Sequence, residues 1–384
     1  MTETLFIQAD LLRTFSSKVF QRLGIPRDQA EDAADVLVWA NLHGIDTHGV
    51  RNLKQYYVAQ LEEGLIRPDA KIEIEHETPI SARVNAGGGL GLAAACWGMR
   101  RAIAKAQESG SGFVSMNTSN HLGASGYFAR MAVEHDMIGV SMTGYFLPQD
   151  AERGLLPTFG ITPMLSTNPL SVSFPTEEEP PFLLDMATSI VPYNRIQMMR
   201  EAGKPIPLGW GLDQNHQPTT DPDALYYLLP LGGPRELGGH KGYGLALMVG
   251  IFCAVLSGGW FDPAAMMKDE SSPEAHGHFF QSDDPSKTDT GYVQRADAHF
   301  FGAIRLDLFR SAQDFKRGLD AMIRTIHSFP AEPGKEGVLY PGEIEYDTSQ
   351  RRQREGIPIP GPIAADLRAL SKKYALPLAL GSRT

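Results

Sequence analysis

The fold class is decided by residues 170–185, which read LSVSFPTEEEPPFLLD. In the first part, Leu170, Val172 and Phe174 alternate with serines, which is the period of two of a half-buried strand. A second apolar run, residues 182–184, follows a five-residue link that is polar and rich in proline. Such a link is too short for a parallel crossover, so the two runs are predicted to pair as an antiparallel hairpin. A purely doubly wound sheet is not expected here.

Upstream of this hairpin the chain starts with a helical pattern. Residues 7–23 and 28–41 read as helices, and a third helix is predicted to begin after Asp46-Thr47. From about residue 72, short β-prone runs alternate with helical stretches. A chain of 384 residues exceeds what one hydrophobic core usually serves, so two structural lobes are expected.

The composition restricts the partners and the compartment. A formal net charge of −10 and a pI near 5.6 argue against nucleic acid or an anionic membrane as the main partner. Cys96 and Cys253 are the two cysteines, so no disulfide framework is expected and a reducing compartment is the natural setting. The first residues lack the pattern of a secretion signal. A soluble, cytoplasmic protein is predicted.

One apolar segment approaches the length of a membrane span. Residues 242–261 carry no charge, but five of them are glycines and no comparable segment occurs elsewhere. A buried helix in the core or at a subunit interface is therefore the prediction.

The glycine-rich stretch of residues 85–94 resembles a dinucleotide-binding fingerprint. It contains Gly89-x-Gly91-x-x-Ala94, and Glu108 lies near the expected distance for an acid that binds a ribose. The preceding residues 81–85 are half polar, however, and no clean series of parallel βαβ units follows. A glycine-rich turn that opens a helix is favoured over a pyrophosphate cradle.

The segment of residues 44–53 places an imidazole beside a guanidinium. If Thr47 caps the third helix, His48 lies in its first turn, and Arg51 and Asn52 follow at spacings that share a helix face. A 2-hydroxy acid needs this pairing, because a base near neutral pKa takes the hydroxyl proton and a positive fork holds the carboxylate. The alternative is a capping turn with a surface arginine.

Three further positions carry candidate chemistry. His121 lies between a predicted strand and a helix, where catalytic side chains often occur. Asp185 ends a buried run and needs a partner there. Lys241, after His240, could reach a phosphate or ribose of a cofactor. The alternatives are capping roles for His121 and Asp185 and a solvated helix end for Lys241.

Metal and hydrolase chemistry have little support. His276-Gly277-His278 is the one close histidine pair, and it has no matching Cys/His set, so no metal site is predicted. No Gly-x-Ser-x-Gly elbow of a serine hydrolase occurs in the sequence.

Taken together, these segments resemble the malate/L-lactate/sulfolactate dehydrogenase family, which is unrelated to the Rossmann-type lactate and malate dehydrogenases. The matching segments are GIDTHGV (44–50), SNHLGA (119–124), TNPL (167–170), LDMATS (184–189), PLGW (207–210), GGHKGYG (238–244), HFF (299–301) and YPGE (340–343). The same family includes ureidoglycolate dehydrogenase, diketogulonate reductase and piperideine-2-carboxylate reductase.

The resemblance implies a non-Rossmann α/β (α+β) fold like that of sulfolactate dehydrogenase. A helical lobe would comprise residues 1–72, with 240–296 and the C-terminal 340–384. A cofactor-binding lobe with a largely antiparallel, mixed sheet would comprise residues 73–239, with 297–330. A homodimer is also implied.

The resemblance further implies the reaction and the residues of the site. The enzyme would transfer a hydride between NAD or NADP and a small 2-hydroxy or 2-keto acid. His48 would be the acid/base, with His121 and Asp185 in or beside the site. Arg51 is predicted to hold the substrate carboxylate as a substitute for the arginine that the family usually carries one position later. The residues implied at the cofactor are Asp185, Met186, Ala187, Thr188, His240, Lys241, Gly342 and Glu343.

Two departures from the family pattern affect the substrate. The usual arginine four residues after the histidine is Asn52 here, and the arginine is Arg51. The loop before Thr167 is longer than usual, and Ser166 stands where glycine is common. A cyclic imino acid reductase, a ureidoglycolate or sugar-acid dehydrogenase, and a cofactor-binding protein without efficient catalysis therefore remain alternatives.

Overall fold

A computed structural model describes residues 4–147, 154–259 and 297–378 of the chain. His276-Gly277-His278 and most of the predicted segment 240–296 lie outside these residues. The helices are α1 (Ala9–Arg22), α2 (Arg27–Leu42), α3 (Ala59–Glu62), α4 (Gly91–Ser109), α5 (Ser125–Met131), α6 (Tyr193–Glu201), α7 (Gly239–Gly250), α8 (Ala312–His327), α9 (Glu343–Glu355) and α10 (Gly361–Tyr374). The strands are β1 (Leu5–Ile7), β2 (Glu73–Glu77), β3 (Ser81–Asn85), β4 (Ser111–Ser119), β5 (Met137–Gly144), β6 (Leu170–Phe174), β7 (Phe182–Met186), β8 (Gly211–Leu212), β9 (Tyr227–Leu228), β10 (Asp297–Arg305) and β11 (Ile357–Ile359).

The first two helices form where the apolar periodicity predicts them. Helix α1 buries Leu12, Val19 and Phe20 against α2, and the chain leaves it through Gly24, whose φ of 88° suits a residue without a side chain. Full burial of a side chain such as Phe20 contributes about 1.5–3 kcal/mol. These helices belong to the large apolar core that extends onto one face of the sheet.

The main sheet is mixed and largely antiparallel, as the resemblance implied. Its seven strands run in the order β2-β3-β4-β10-β5-β6-β7, and β3–β4 is its one parallel pair. The predicted hairpin is confirmed, because β6 and β7 pair antiparallel with Leu170 opposite Met186 and Phe174 opposite Phe182. This hairpin forms one edge of the sheet.

A buried carboxylate holds the turn of that hairpin. Asp320 of α8, which is 3% exposed, accepts hydrogen bonds from the backbone amides of Glu177, Glu178 and Glu179. Backbone donors aimed at one carboxylate compensate its burial. Helix α8 therefore fixes the turn, and with it the position of Asp185 at the end of β7.

The glycine-rich turn was assigned correctly as a turn, but its surroundings differ from the prediction. Strands β3 and β4 are parallel and joined by α4, so one βαβ unit does exist. Its turn is filled by the protein itself: Asn120 Nδ2 donates to the carbonyls of Gly88 and Gly89, and a Cβ on Gly91 would lie 1.8 Å from the Asn120 carbonyl oxygen. This packing leaves no room for a pyrophosphate.

The uncharged segment after residue 242 forms α7 and a π-helical continuation, Ile251–Val255. Among the described residues, no helix is both long enough and apolar enough to cross a membrane. Helix α9 was not predicted separately, because its sequence is polar and lacks an apolar stripe.

Candidate active site

A cleft of about 610 Å³ lies between the helical segments and the β6–β7 edge of the sheet. Its walls include four segments, around His48, Ala124, Asp185 and Gly342. Further lining residues are Thr167, Pro169, Val191, Pro192, Arg195 and Trp210. Small-molecule and cofactor sites commonly have volumes of about 300–1,000 Å³. The cleft is large enough for a cofactor and a small substrate.

His48 does not lie in the first turn of a helix, which corrects the prediction. It ends a 3-10 turn, Asp46–His48, and Gly49 then adopts an extended conformation. Thr47 does not cap the helix but places its Oγ1 2.8 Å from His48 Nδ1. Gly49 packs so closely that a Cβ there would lie 2.1 Å from Asn41 Oδ1. The helical spacing assumed for His48 and Arg51 therefore does not exist.

A polar network fixes the turn that carries His48. Asn41, which is 3% exposed, accepts from the Val50 amide and donates to Asp46. Arg352 of α9 binds both carboxylate oxygens of Asp46, at 2.8 and 2.9 Å, and also donates to the Asn41 carbonyl. The turn is thus held from α2 and from α9. The role of Arg352 was not predicted, because no motif includes it.

His48 and His121 form a stacked pair. Their ring centroids are 5.7 Å apart and the planes differ by 15°. His121 Nδ1 lies 2.8 Å from the Tyr57 hydroxyl and accepts a hydrogen bond from the Gly123 amide. An amide can only donate, so Nδ1 of His121 is unprotonated and its neutral ring carries the proton on Nε2. The structure thus brings together two of the histidines that were singled out in the sequence.

Both members of the pair are held neutral. Burial lowers the pKa of His48 to about 4. Burial, with the added repulsion of His48 and His299, lowers the pKa of His121 to about 3. An imidazole with so low a pKa is an unprotonated acceptor at neutral pH.

A third histidine, His299 of β10, lies behind the pair and had no assigned role. It is fully buried, and Nδ1 lies 2.8 Å from the Thr143 hydroxyl. Its Nε2 lies 2.9 Å from Ser119 Oγ and 3.2 Å from the Asn120 carbonyl. Both ring nitrogens are therefore occupied by the protein.

Asp185 lines the cleft and has found the partners that its burial requires. Its carboxylate accepts from Ser171 Oγ at 2.5 Å and from the Gly126 amide at 2.9 Å. Burial raises its pKa, and these two donors oppose that effect. The carboxylate is hydrogen-bonded to these groups rather than to His48.

Arg51 and Asn52 are both engaged outside the cleft. Arg51 forms a two-pronged ion pair with Glu201 at the end of α6. Asn52 Nδ2 donates to the Thr47 carbonyl at 2.9 Å. Neither residue lines the cleft, so the guanidinium predicted to clamp a carboxylate is occupied by a protein carboxylate instead.

Arg195, which was not singled out in the sequence, is the permanent cation among the described residues of the cleft wall. It is exposed and forms no ion pair with any described residue. The neighbouring Asn194 donates to the Thr47 carbonyl at 2.7 Å, which ties the start of α6 to the His48 turn. Arg195 was not predicted as a site residue because it belongs to no recognisable motif.

The residues implied at the cofactor divide into two groups. Met186, Ala187 and Gly342 line the cleft together with Asp185. The other four residues do not line the cleft. Thr188 is buried and donates to the Thr167 and Asn168 carbonyls, and Glu343 forms hydrogen bonds with His327 and the Tyr340 amide. His240 and Lys241 are exposed at the start of α7.

Within the described ranges, no group of three or more His, Cys, Asp or Glu side chains could hold a metal ion. A second depression of about 400 Å³ lies beside β2 and β3, away from these histidines.

The chain is similar to known proteins over almost its whole length. A sequence model described as malate/L-lactate dehydrogenase matches residues 7–368. A malate dehydrogenase of Pyrococcus horikoshii is 36% identical over 374 residues, 96% of each chain. A malate/(S)-sulfolactate dehydrogenase of Methanothermus fervidus is 32% identical over 95% of this chain and 97% of its own. The crystal structure of malate dehydrogenase from Entamoeba histolytica superposes with a TM-score of 0.86 at 31% identity, covering 98% of this chain and all of that one.

Proposed function

Because the chain belongs to the malate/L-lactate dehydrogenase family, we propose that it interconverts a small 2-hydroxy acid and the corresponding 2-keto acid with NAD or NADP. The observation that supports this function most is the neutral His48–His121 pair, of which His48 lines a cleft large enough for both ligands. Such a pair can exchange a proton with a substrate hydroxyl.

In this proposal, His48 is the residue that moves the proton. When bound, the nicotinamide supplies or takes up the hydride at C2 of the substrate. In the oxidation, neutral His48 accepts the hydroxyl proton, and Thr47 orients its ring through Nδ1. In the reduction, His48 must first be protonated, and a substrate carboxylate beside it favours that form. His121 backs the ring of His48 and is itself oriented by Tyr57.

The same proposal assigns the cofactor to the Asp185–Gly342 side of the cleft. Met186 and Ala187 supply apolar and backbone surface there, and Asp185 supplies a carboxylate for ligand hydroxyls. Gly342 has a φ of 98°, and a Cβ there would come within 2.9 Å of the Leu183 amide nitrogen. A glycine lets this wall pass close to β7 without narrowing the cleft.

We also propose a cytoplasmic homodimer with the two predicted lobes on opposite sides of the cleft. Ile251, Phe252, Val255 and Leu256 are exposed apolar side chains on one helical segment, which suits a subunit contact. Sedimentation should give twice the 42.0 kDa mass of one chain, and a monomer at micromolar concentration would contradict this part.

The reaction is tested by absorbance-monitored oxidation of NADH and NADPH, separately, with a panel of 2-keto acids and cyclic imino acids. Turnover with a 2-keto acid is the expected result. If only cyclic imino acids react, the protein is a reductase of imines. If the cofactor binds but no acid of the panel reacts, the proposed function is wrong.

A further inference from the structure

We propose that Arg195 binds the C1 carboxylate of the substrate, in place of the arginine that Asn52 replaces. This inference rests on the proposed function, since it concerns the acid that would be oxidised or reduced beside His48. It adds a binding residue from a different helix to the site.

The charges of the cleft wall support this assignment. The described acidic groups on the wall are Asp185 and Glu345, and Arg195 is the permanent positive charge among the described residues that line the same cleft. An anion brought beside these carboxylates is repelled unless a cation compensates. Arg51 cannot do this while Glu201 holds both of its terminal nitrogens. Arg195 remains available because no described residue forms an ion pair with it.

The position of Arg195 relative to His48 supports the carboxylate at C1 rather than another group. Asn194 binds the Thr47 carbonyl, so the first turn of α6 and the His48 turn are held together. The Arg51–Glu201 ion pair joins the same two segments at the other end of α6. His48 and Arg195 are therefore carried by two segments that are fixed relative to each other. A substrate whose C2 oxygen lies at His48 would have its C1 carboxylate between them. The N-terminus of α6, which carries the positive end of the helix dipole, also borders the cleft.

The guanidinium offers the geometry that a carboxylate requires. Its donors form a planar fork that can bind both oxygens, and such charge-assisted pairs are worth about 1.5–3 kcal/mol. Loss of the fork removes binding that is common to the ground state and the transition state, so KM should rise more than kcat falls. Lysine retains the charge without the fork and should recover part of the affinity.

The test compares Arg195→Gln and Arg195→Lys with the wild type, using Lys204→Gln as a control. Lys204 is exposed just beyond α6, so its substitution removes one charge without touching the cleft. Arg195→Gln should raise KM for 2-keto acids about 10- to 100-fold. Arg195→Lys should lie between it and the wild type. KM for the neutral amides of the same keto acids should be unchanged in both variants, as should the Kd of NADH and NADPH.

The other outcomes overturn the inference in distinct ways. A rise in cofactor Kd with an unchanged KM would place Arg195 at the cofactor phosphates. A rise confined to substrates with two acidic groups would place it at the distal acid. Binding of oxamate, a non-reactive mimic of a 2-keto acid, to the NADH or NADPH complex gives a readout without turnover. If the wild type binds oxamate and Arg195→Gln does not, the subsite stands even when no panel acid reacts.

Discussion

The His48–His121 pair and His299 are two buried imidazole environments. Burial lowers the histidine pKa in both, but they differ in whether a ring nitrogen can bind a ligand. Burial lowers the pKa of His48 and of His299 alike, to about 4. The ring of His299 has protein partners at both nitrogens. The ring of His48 borders the cleft, and among the described residues its hydrogen-bond partner is Thr47, at Nδ1. A lowered pKa alone therefore does not identify a catalytic histidine; a nitrogen left for a ligand does.

The largest expected difference between the two environments is in catalysis. His48→Asn should lower kcat by about 100-fold or more, because the proton acceptor is removed while the size and polarity of the side chain are roughly kept. Steady-state kinetics with the best keto acid would measure this. His135→Asn is the control, since His135 is an exposed histidine remote from the cleft wall. Activity of His48→Asn within a few-fold of that control would remove His48 from the mechanism.

His299 should show the opposite pattern. His299→Phe keeps a ring but removes the hydrogen bonds that the imidazole makes with the half-buried Thr143 hydroxyl and the buried Ser119 hydroxyl, at a cost of about 1–3 kcal/mol in the free energy of unfolding. Thermal and urea unfolding would measure the loss, and His299→Gln should recover part of it. A large fall in kcat per folded molecule, with unchanged stability, would show that the two environments are not distinct.

Acid should weaken the fold through the buried histidines. Their pKa is near 6.5 in the unfolded chain and about 4 for His299 in the folded one, so the unfolded state binds more protons between these values. Stability due to this group is therefore complete above pH 6.5 and falls by about 1.4 kcal/mol per pH unit as the pH drops toward 4. The pH dependence of His299→Gln should be less steep by one proton, and an identical slope would contradict this account.

A smaller effect on kcat is expected when a residue that holds the His48 turn in place is substituted. Arg352→Gln removes the ion pair with Asp46 and the hydrogen bond to the Asn41 carbonyl, but leaves the hydrogen bonds of the Asn41 side chain in place. We expect a roughly 5- to 10-fold lower kcat, because looser positioning of a catalytic group costs about 1 kcal/mol. Arg352→Lys should recover much of it. Loss of stability without any change in kcat or its pH profile would mean that Arg352 only stabilises the fold.

The parts of the fold set by local pattern were predicted from the sequence, and the parts set by distant partners were not. The β6–β7 hairpin follows from alternation and link length, and α1 and α2 follow from apolar periodicity. His48 and Asp185 were singled out from their local patterns and from the family resemblance, and both line the cleft. The 3-10 turn at His48 was missed because it depends on Asn41 and on Arg352, which is more than 300 residues away.

The same reason explains why the contacts of the arginines were not predicted. No local rule indicates that Arg51 meets Glu201, 150 residues along the chain. Arg195 has no motif, and its position at the cleft results from how α6 packs against the His48 turn. The βαβ unit at the glycine-rich turn was undervalued because β3 is half polar. In each of these cases the structure depends on contacts between residues that are far apart in the chain, and residue type alone does not indicate such contacts.

The central place of β10 has a consequence for how the chain folds during synthesis. Strand β10 separates β4 from β5 in the sheet, yet it is made more than 150 residues after β5 ends. At about 5–20 residues per second, β4 and β5 each wait roughly 8 to 30 s for the strand that completes them. During that time their inner edges present unpaired backbone groups, which are open to pairing with other chains. Residues 297–305 thus act as the closing strand of the nascent protein, and His299 arrives with them.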